Sequence, residues 1–322
     1  MKTIAFGLCA LAFASLAQAQ TKWDLPSGYA VNTFQVQNLQ QFVAGVDKAT
    51  SGKLKITVHP NASLFKANEI KRTVQSGQVA LGEFILSGAA NEAAVYGVDS
   101  IPFLATSYAD SKRLDQASRP LLVKTLGTQG MKLLYTVPWP AQSLYSTKPV
   151  TALKDLKGTK MRAYNPATSF IANAVGAQPV TIQLAELSAA LATGTVDNFL
   201  TSSASGVDSK LYESVKYFYG VAAWLPRNAV VVNQKAFDAL DKPTQDAVLA
   251  QAAAAELRGW AMSEQKDQEY LKELAAKGMQ VDVAAESLKK ELKAVGERMT
   301  ADWIKTAGDE GKAVIEAYNA KK

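Results

Sequence analysis

Among its 322 residues the chain has one cysteine, Cys9, and one histidine, His59. Multi-histidine metal sites, histidine triads and thiol chemistry are therefore not expected, which removes the commonest hydrolase and metalloenzyme designs. His59 ends the run Lys53 to Val58 just before Pro60, a strand-end position next to a turn. Long apolar runs are missing too. The longest, Ile4 to Leu16, is shorter than the roughly 18 to 20 residues a bilayer requires. With Lys2 ahead of it and Ala17-Gln18-Ala19 behind, it reads as an export leader, residues 1–19, cleaved after Ala19 to leave a soluble periplasmic protein. Cys9 lies inside that run rather than after it, so no lipid anchor is expected, and its loss with the leader leaves no thiol for disulfides.

Blocks of like charge are also absent. The formal charge is +6, with lysines and arginines scattered among acids. That pattern fits a solvated surface, carries no nucleic-acid footprint, and helps draw in small anions.

What is present is alternating helix and strand. Apolar residues at Phe34, Leu39, Phe42, Val43 and Val46 predict a helix closed by Gly52; Leu54, Ile56 and Val58 alternate as a strand. Asn68 is expected to cap a helix from Glu69 to Ser76, ahead of a strand over 79–86. This unit has an echo. Glu69-Ile70, Gly77 and Val79 recur as Glu186-Leu187, Gly194 and Val196, the glutamate eight residues before the glycine in both copies. A helix, a glycine C-cap and a buried strand built twice predict two α/β lobes with parallel strands. Further strands are expected at 131–137, 215–221, 229–233 and 281–283, and Pro138 and Pro140 suit a crossing between lobes. A helix from Pro243 to Lys277, opened by Asp241 and stopped by Gly278, would run roughly 50 Å and back both lobes. Residues 285–318 read as helical, burying Trp303, Ile304 and Ile315. The division that follows is 20–140 plus about 229–260, 141–228 plus about 261–285, and 286–322 packed on the lobes.

In open α/β sheets, ligands collect at the carboxyl ends of strands. Five segments qualify: Phe84 to Asn91, Trp139 to Tyr145, Arg162 to Pro166, Thr201 to Ser205 and Trp224 to Asn228. Arg162 closes its strand, and its planar guanidinium serves either a ligand carboxylate or a surface or interlobe salt bridge. Glu83 follows Gly82 inside an apolar strand, where it either braces the cleft or meets a ligand hydroxyl. Phe84, Trp139, Tyr145, Tyr164 and Trp224 are aromatic walls or core; Gln142, Asn165, Thr201, Ser202 and Asn228 are polar partners beside them. Catalysis by carboxylates would fall to Glu83 and Glu186, but Glu186 sits on an amphipathic helix, and a binding protein is expected rather than an enzyme.

Ser63-Leu64-Phe65, Glu69-Ile70, Gly77-Gln78-Val79, Asp99 to Leu104, Leu156 to Arg162 and Gly194 to Asp197 appear in a specific order. In this the chain resembles the DctP-type solute-binding proteins of TRAP transporters over essentially its whole mature length. The resemblance implies a two-lobed periplasmic binding protein fold, type II-like. It also implies that the protein closes on an organic acid for delivery to membrane permease subunits, with Arg162 gripping the carboxylate. Two features depart from the family pattern. Gln142 stands where many members carry a second arginine, and Asn198 to Ser202 lacks the Gly-Gln-Glu-Asn-Pro run of sialic-acid receptors. The expected ligand is thus a 2-oxo or 2-hydroxy monocarboxylate, aryl-substituted or not. A sugar-acid receptor and a periplasmic sensor subunit are the alternatives. No cofactor, metal or nucleic-acid partner is expected, and the protein is expected to be a monomer.

Overall fold

The computed structural model describes residues 20–282 and 286–320. Residues 1–19, 283–285 and 321–322 lie outside them. The strands are β1 (Thr21–Pro26), β2 (Leu54–His59), β3 (Leu81–Ile85), β4 (Met131–Pro138), β5 (Ser143–Ser146), β6 (Lys160–Ala163), β7 (Gln178–Thr181), β8 (Asn198–Thr201), β9 (Tyr217–Tyr219), β10 (Arg227–Asn233) and β11 (Gln280–Asp282). The helices are α1 (Phe34–Ala49), α2 (Ile70–Gln75), α3 (Tyr108–Thr128), α4 (Pro166–Ala174), α5 (Leu184–Ala192), α6 (Ser203–Asp208), α7 (Gln234–Asp238), α8 (Lys242–Ala276) and α9 (Glu286–Asn319).

Two lobes result. One holds the pair β1-β2 and the sheet β3-β10-β4; the other holds the sheet β11-β9-β5-β8-β6-β7. The chain crosses at 139–142 and returns at 220–226. The all-parallel expectation needs correction: β10 runs antiparallel to β3 and β4, and β5 runs antiparallel to β8 and β9. Both reversed strands enter from the opposite lobe. They start at the cleft, where β3, β6 and β8 end, and so must run the other way.

Local chemistry explains most boundaries. The Thr33 hydroxyl accepts from the Val36 N–H to open α1, and Phe34, Leu39, Phe42 and Val46 form its buried stripe. Gly77 and Gly194, the echoed glycines, have φ of +75° and +65°, a left-handed turn that side chains resist. The cap of α2 falls on Glu69 without a side-chain hydrogen bond, so Asn68 is released to the cleft instead of capping.

Two helices tie the lobes together. Asp241 caps α8 by accepting from Thr244 N–H at 2.8 Å, and Pro243 fits its first turn. Val248, Ala252, Ala255 and Tyr270 join the core of the first lobe, and Leu274 joins the core of the second. Small residues let α8 approach closely, since a Cβ on Gly259 would stand 2.5 Å from Val137. Helix α9 breaks at Gly308, whose φ of 62° is non-helical, so the segment expected to be helical is two helices joined by a kink. Leu288, Leu292 and Val295 pack on the second lobe; Trp303, Val314 and Tyr318 pack on Val98, Ile101 and Leu114 of the first. Among the described residues no helix is long and apolar enough to cross a membrane.

Candidate functional site

A cavity of about 530 Å³ lies between the lobes. Its second-lobe wall is the carboxyl ends of β6, β7 and β8 with the N-termini of α4 and α5. Its first-lobe wall is residues 28–29 after β1, the segment 67–72, and 83–92 from β3 onward; Trp139, Gln142 and Pro226 close the back. The amino-terminal N–H groups of α4 and α5 give this cavity a field that favours anions.

Arg162 is a buried positive charge in it; Arg72 also lines the cavity but is exposed. The Arg162 side chain is 3 % exposed, its Nε donates to the Ile182 carbonyl at 2.8 Å, and the guanidinium lies 4.9 Å from the Tyr164 ring centroid. Burial pulls its pKa down to about 10. Among the described residues no carboxylate pairs with it, so the salt-bridge alternative has no partner. Arg227 shows the opposite arrangement. Equally buried, it donates through its backbone N–H and Nε to Asp99 Oδ2 at 3.0 and 3.1 Å, and through a terminal nitrogen to Asp115. One buried arginine is neutralised twice by the protein; the other is left facing the cavity.

Glu83 is the fixed negative group. It is 2 % exposed; Ser27 Oγ donates to Oε2 at 2.6 Å and Asn228 Nδ2 donates to Oε1 at 3.0 Å. Burial raises its pKa to about 6 against the pull of those two hydrogen bonds. Asn228 is held in this orientation because its Oδ1 accepts from Trp139 Nε1 at 2.9 Å and from the Tyr29 hydroxyl at 3.2 Å. Tyr29 and Trp139 meet with ring centroids 4.9 Å apart, an aromatic wall next to Phe84. Lys71 also reaches the cavity, but its ammonium is bound to Glu92 and lies over the Tyr96 ring.

A family profile, bacterial extracellular solute-binding protein, family 7, matches residues 27–306. The chain belongs to this family. The extracytoplasmic solute receptor DctP6 of Bordetella pertussis, which binds pyroglutamic acid, is 51 % identical to it, with a TM-score of 0.92 covering 93 % of this chain and all of that one. A marine metagenome TRAP solute-binding protein specific for pyroglutamate is 41 % identical, with a TM-score of 0.92 over 94 % of this chain and all of that one. A solute-binding protein of Albidiferax ferrireducens is 27 % identical over 85 % of this chain and 79 % of its own length. The protein is a TRAP solute-binding receptor, of the two-lobed periplasmic fold.

Of the residues singled out in its sequence, this receptor brings Glu83, Phe84, Trp139, Gln142, Arg162, Tyr164, Asn165 and Thr201 to the cavity wall. The remaining ones stand behind it. Tyr145 is a core residue stacked 5.0 Å from Phe199, its hydroxyl donating to the Ser202 carbonyl at 2.9 Å. Ser202 caps α6 by accepting from the Ser205 N–H, and Asn228 is held by the three bonds already described. Trp224 is fully buried; its indole N–H lies toward Tyr164 but closes no hydrogen bond of normal geometry. Gln142 accepts from the Tyr164 hydroxyl at 3.3 Å and donates to the Pro140 carbonyl at 3.1 Å. Tyr29, Lys71, Glu92 and the segment 181–184 line the cavity without having been marked in the sequence. The missed signal for Tyr29 was β1 itself, whose strand end places Gly28 and Tyr29.

Proposed function

We propose that this receptor captures pyroglutamate, or a small cyclic monocarboxylate close to it, with Arg162 as the carboxylate anchor. The observation carrying this reading is a buried guanidinium without a counter-ion among the described residues, in a chain 51 % identical over its matched length to a receptor for that acid. A buried unpaired charge is costly unless something satisfies it, and a carboxylate does so in two parallel hydrogen bonds. Gln142 at the place of a second cation favours one carboxylate over two. Tyr29, Phe84 and Trp139 suit the apolar edge of a ring.

The cavity is larger than one such acid, so the lobes must close to remove water from around it. The chain crossings at 139–142 and 220–226 are the hinge in this mechanism, and the ligand favours the closed form by touching both lobes. The division into 20–140 with about 229–260, 141–228 with about 261–285, and 286–322 belongs to the same proposal, as do cleavage after Ala19, a monomeric state, return of the ligand unchanged, and delivery to the membrane permease subunits. Calorimetric titration of unfolded, washed and refolded protein tests the ligand. Pyroglutamate is expected to bind tightly with one site per chain; binding of succinate, aldonates or uronates alone would sink the proposal.

A further inference from the structure

We infer that Glu83 is a specificity-determining residue that requires a hydrogen-bond donor, an N–H or O–H, on the ligand next to its carboxylate. This rests on the proposal that Arg162 binds that carboxylate, and it extends the reading from one recognised group to two.

An ionised carboxylate has about four lone-pair positions. Glu83 uses one on each oxygen, for Ser27 and for Asn228, and no cation pairs with it among the described residues. Its donors are arranged in one direction. Tyr29 and Trp139 both donate to Asn228 Oδ1, which turns the amide N–H group of Asn228 toward Glu83 and prevents it from presenting its oxygen there. Glu83 therefore receives hydrogen bonds from the protein and has none to give, with unused lone pairs on a cavity wall. Arg162 is its counterpart: only Nε is committed to a protein acceptor, leaving the terminal N–H groups for a ligand. Tyr29, Glu83 and Arg162 all line this one cavity.

A cavity with a donor fork at one side and an unsaturated acceptor at the other selects molecules with the reverse order. A lactam acid offers a carboxylate and an adjacent N–H; a 2-hydroxy acid offers a carboxylate and an O–H. A 2-oxo acid or a lactone presents a second acceptor to Glu83 and is repelled. Sites built around a buried polar group discriminate strongly against analogues that leave it unpaired, because its desolvation is then uncompensated.

The test is calorimetry at pH 7 with pyroglutamate and its isosteric lactone, 5-oxotetrahydrofuran-2-carboxylate, on wild-type protein and Glu83→Gln. The lactam should bind wild-type at least about 100-fold more tightly than the lactone. In the variant, the introduced amide still accepts from Asn228 and donates to Ser27, so the fold is kept, as a melting curve checks. The preference there should fall below about tenfold, mainly by loss of lactam affinity. Equal affinity of wild-type for lactam and lactone, or an unchanged preference in Glu83→Gln, overturns the inference while leaving Arg162 as anchor. Binding of neither ring overturns the ligand reading itself, and this inference with it.

Discussion

Asn165 reaches across the cleft from the start of α4 and donates through Nδ2 to the Ser87 hydroxyl at 2.8 Å. Its Oδ1 meanwhile accepts from the Thr168 N–H at 2.8 Å, so one side chain both caps a helix of the second lobe and ties it to the first. Ser87→Ala removes only the bridge. The expected outcome is a loss of up to about tenfold in ligand affinity, the worth of a single hydrogen bond, with little change in the melting temperature of ligand-free protein. Small-angle scattering should show a larger fraction of open molecules in the variant.

Glu83 makes the ligand-free protein pH-sensitive. Its folded pKa, about 6, lies above the ordinary value of 4.5, so the folded state holds the proton more tightly. The resulting stabilisation is complete below pH 4.5 and is lost as pH rises through 6, which corresponds to roughly 2 kcal/mol. Relative to wild-type, Glu83→Gln should therefore be about 2 kcal/mol more stable at pH 7 and no more stable at about pH 4. Asp208, which burial raises to about 7, adds a slope of the same sign, so the comparison between variant and wild-type isolates Glu83. Affinity should move the other way. The groups facing Glu83 are Ser27, Asn228 and, through space, Tyr29 and Tyr135; each of the two tyrosines has its pKa raised by burial and stays neutral over this range. Protonating Glu83 below about pH 6 therefore discharges the acceptor and turns one of its oxygens into a donor, which weakens ligand binding. Denaturant melts and titrations at about pH 4, 5, 6 and 7 measure both.

Arg227 is structural. It ties Asp99 to Asp115, and Asp115 also binds Arg119, which reaches Glu256 on α8. Arg227→Ala leaves Asp99 buried without its counter-ion and Asp115 with Arg119 alone, and the expected cost is about 3–5 kcal/mol in urea denaturation.

Gly206 lies where a Cβ would meet the Tyr145 hydroxyl oxygen at 2.2 Å. Gly206→Ala should push Tyr145 off the Ser202 carbonyl and destabilise the second lobe by about 1–3 kcal/mol in thermal melts.

The sequence made some of this visible and hid the rest, for definite reasons. The strand-end position of Arg162 left a ligand anchor and a salt bridge both open, and only the family resemblance pointed to the carboxylate; Gly77 and Gly194 were legible because left-handed turns leave few other choices. Tyr145 and Trp224 were not separable from Tyr164 and Trp139. Alternation along a strand gives two faces without saying which one meets the cleft, and aromatic side chains serve core and cavity equally. The reversed β5 and β10 were illegible because an apolar pattern carries no direction; only the crossings at Trp139 and Pro226 determine it. Asn228 looked like a ligand partner by its position, but Tyr29, Trp139 and Glu83 take three of its four hydrogen-bonding positions and fix its orientation, and all three lie far from it in sequence.

Arg162→Ala, titrated with pyroglutamate by calorimetry beside a melt of the ligand-free protein, bears most directly on whether this arginine is a ligand anchor. Affinity should fall at least about 100-fold while the melting temperature of the ligand-free protein stays at or above that of wild-type, since a buried charge without a partner has been removed. Retained affinity, or a collapse in ligand-free stability, would contradict the assignment of Arg162 to the ligand.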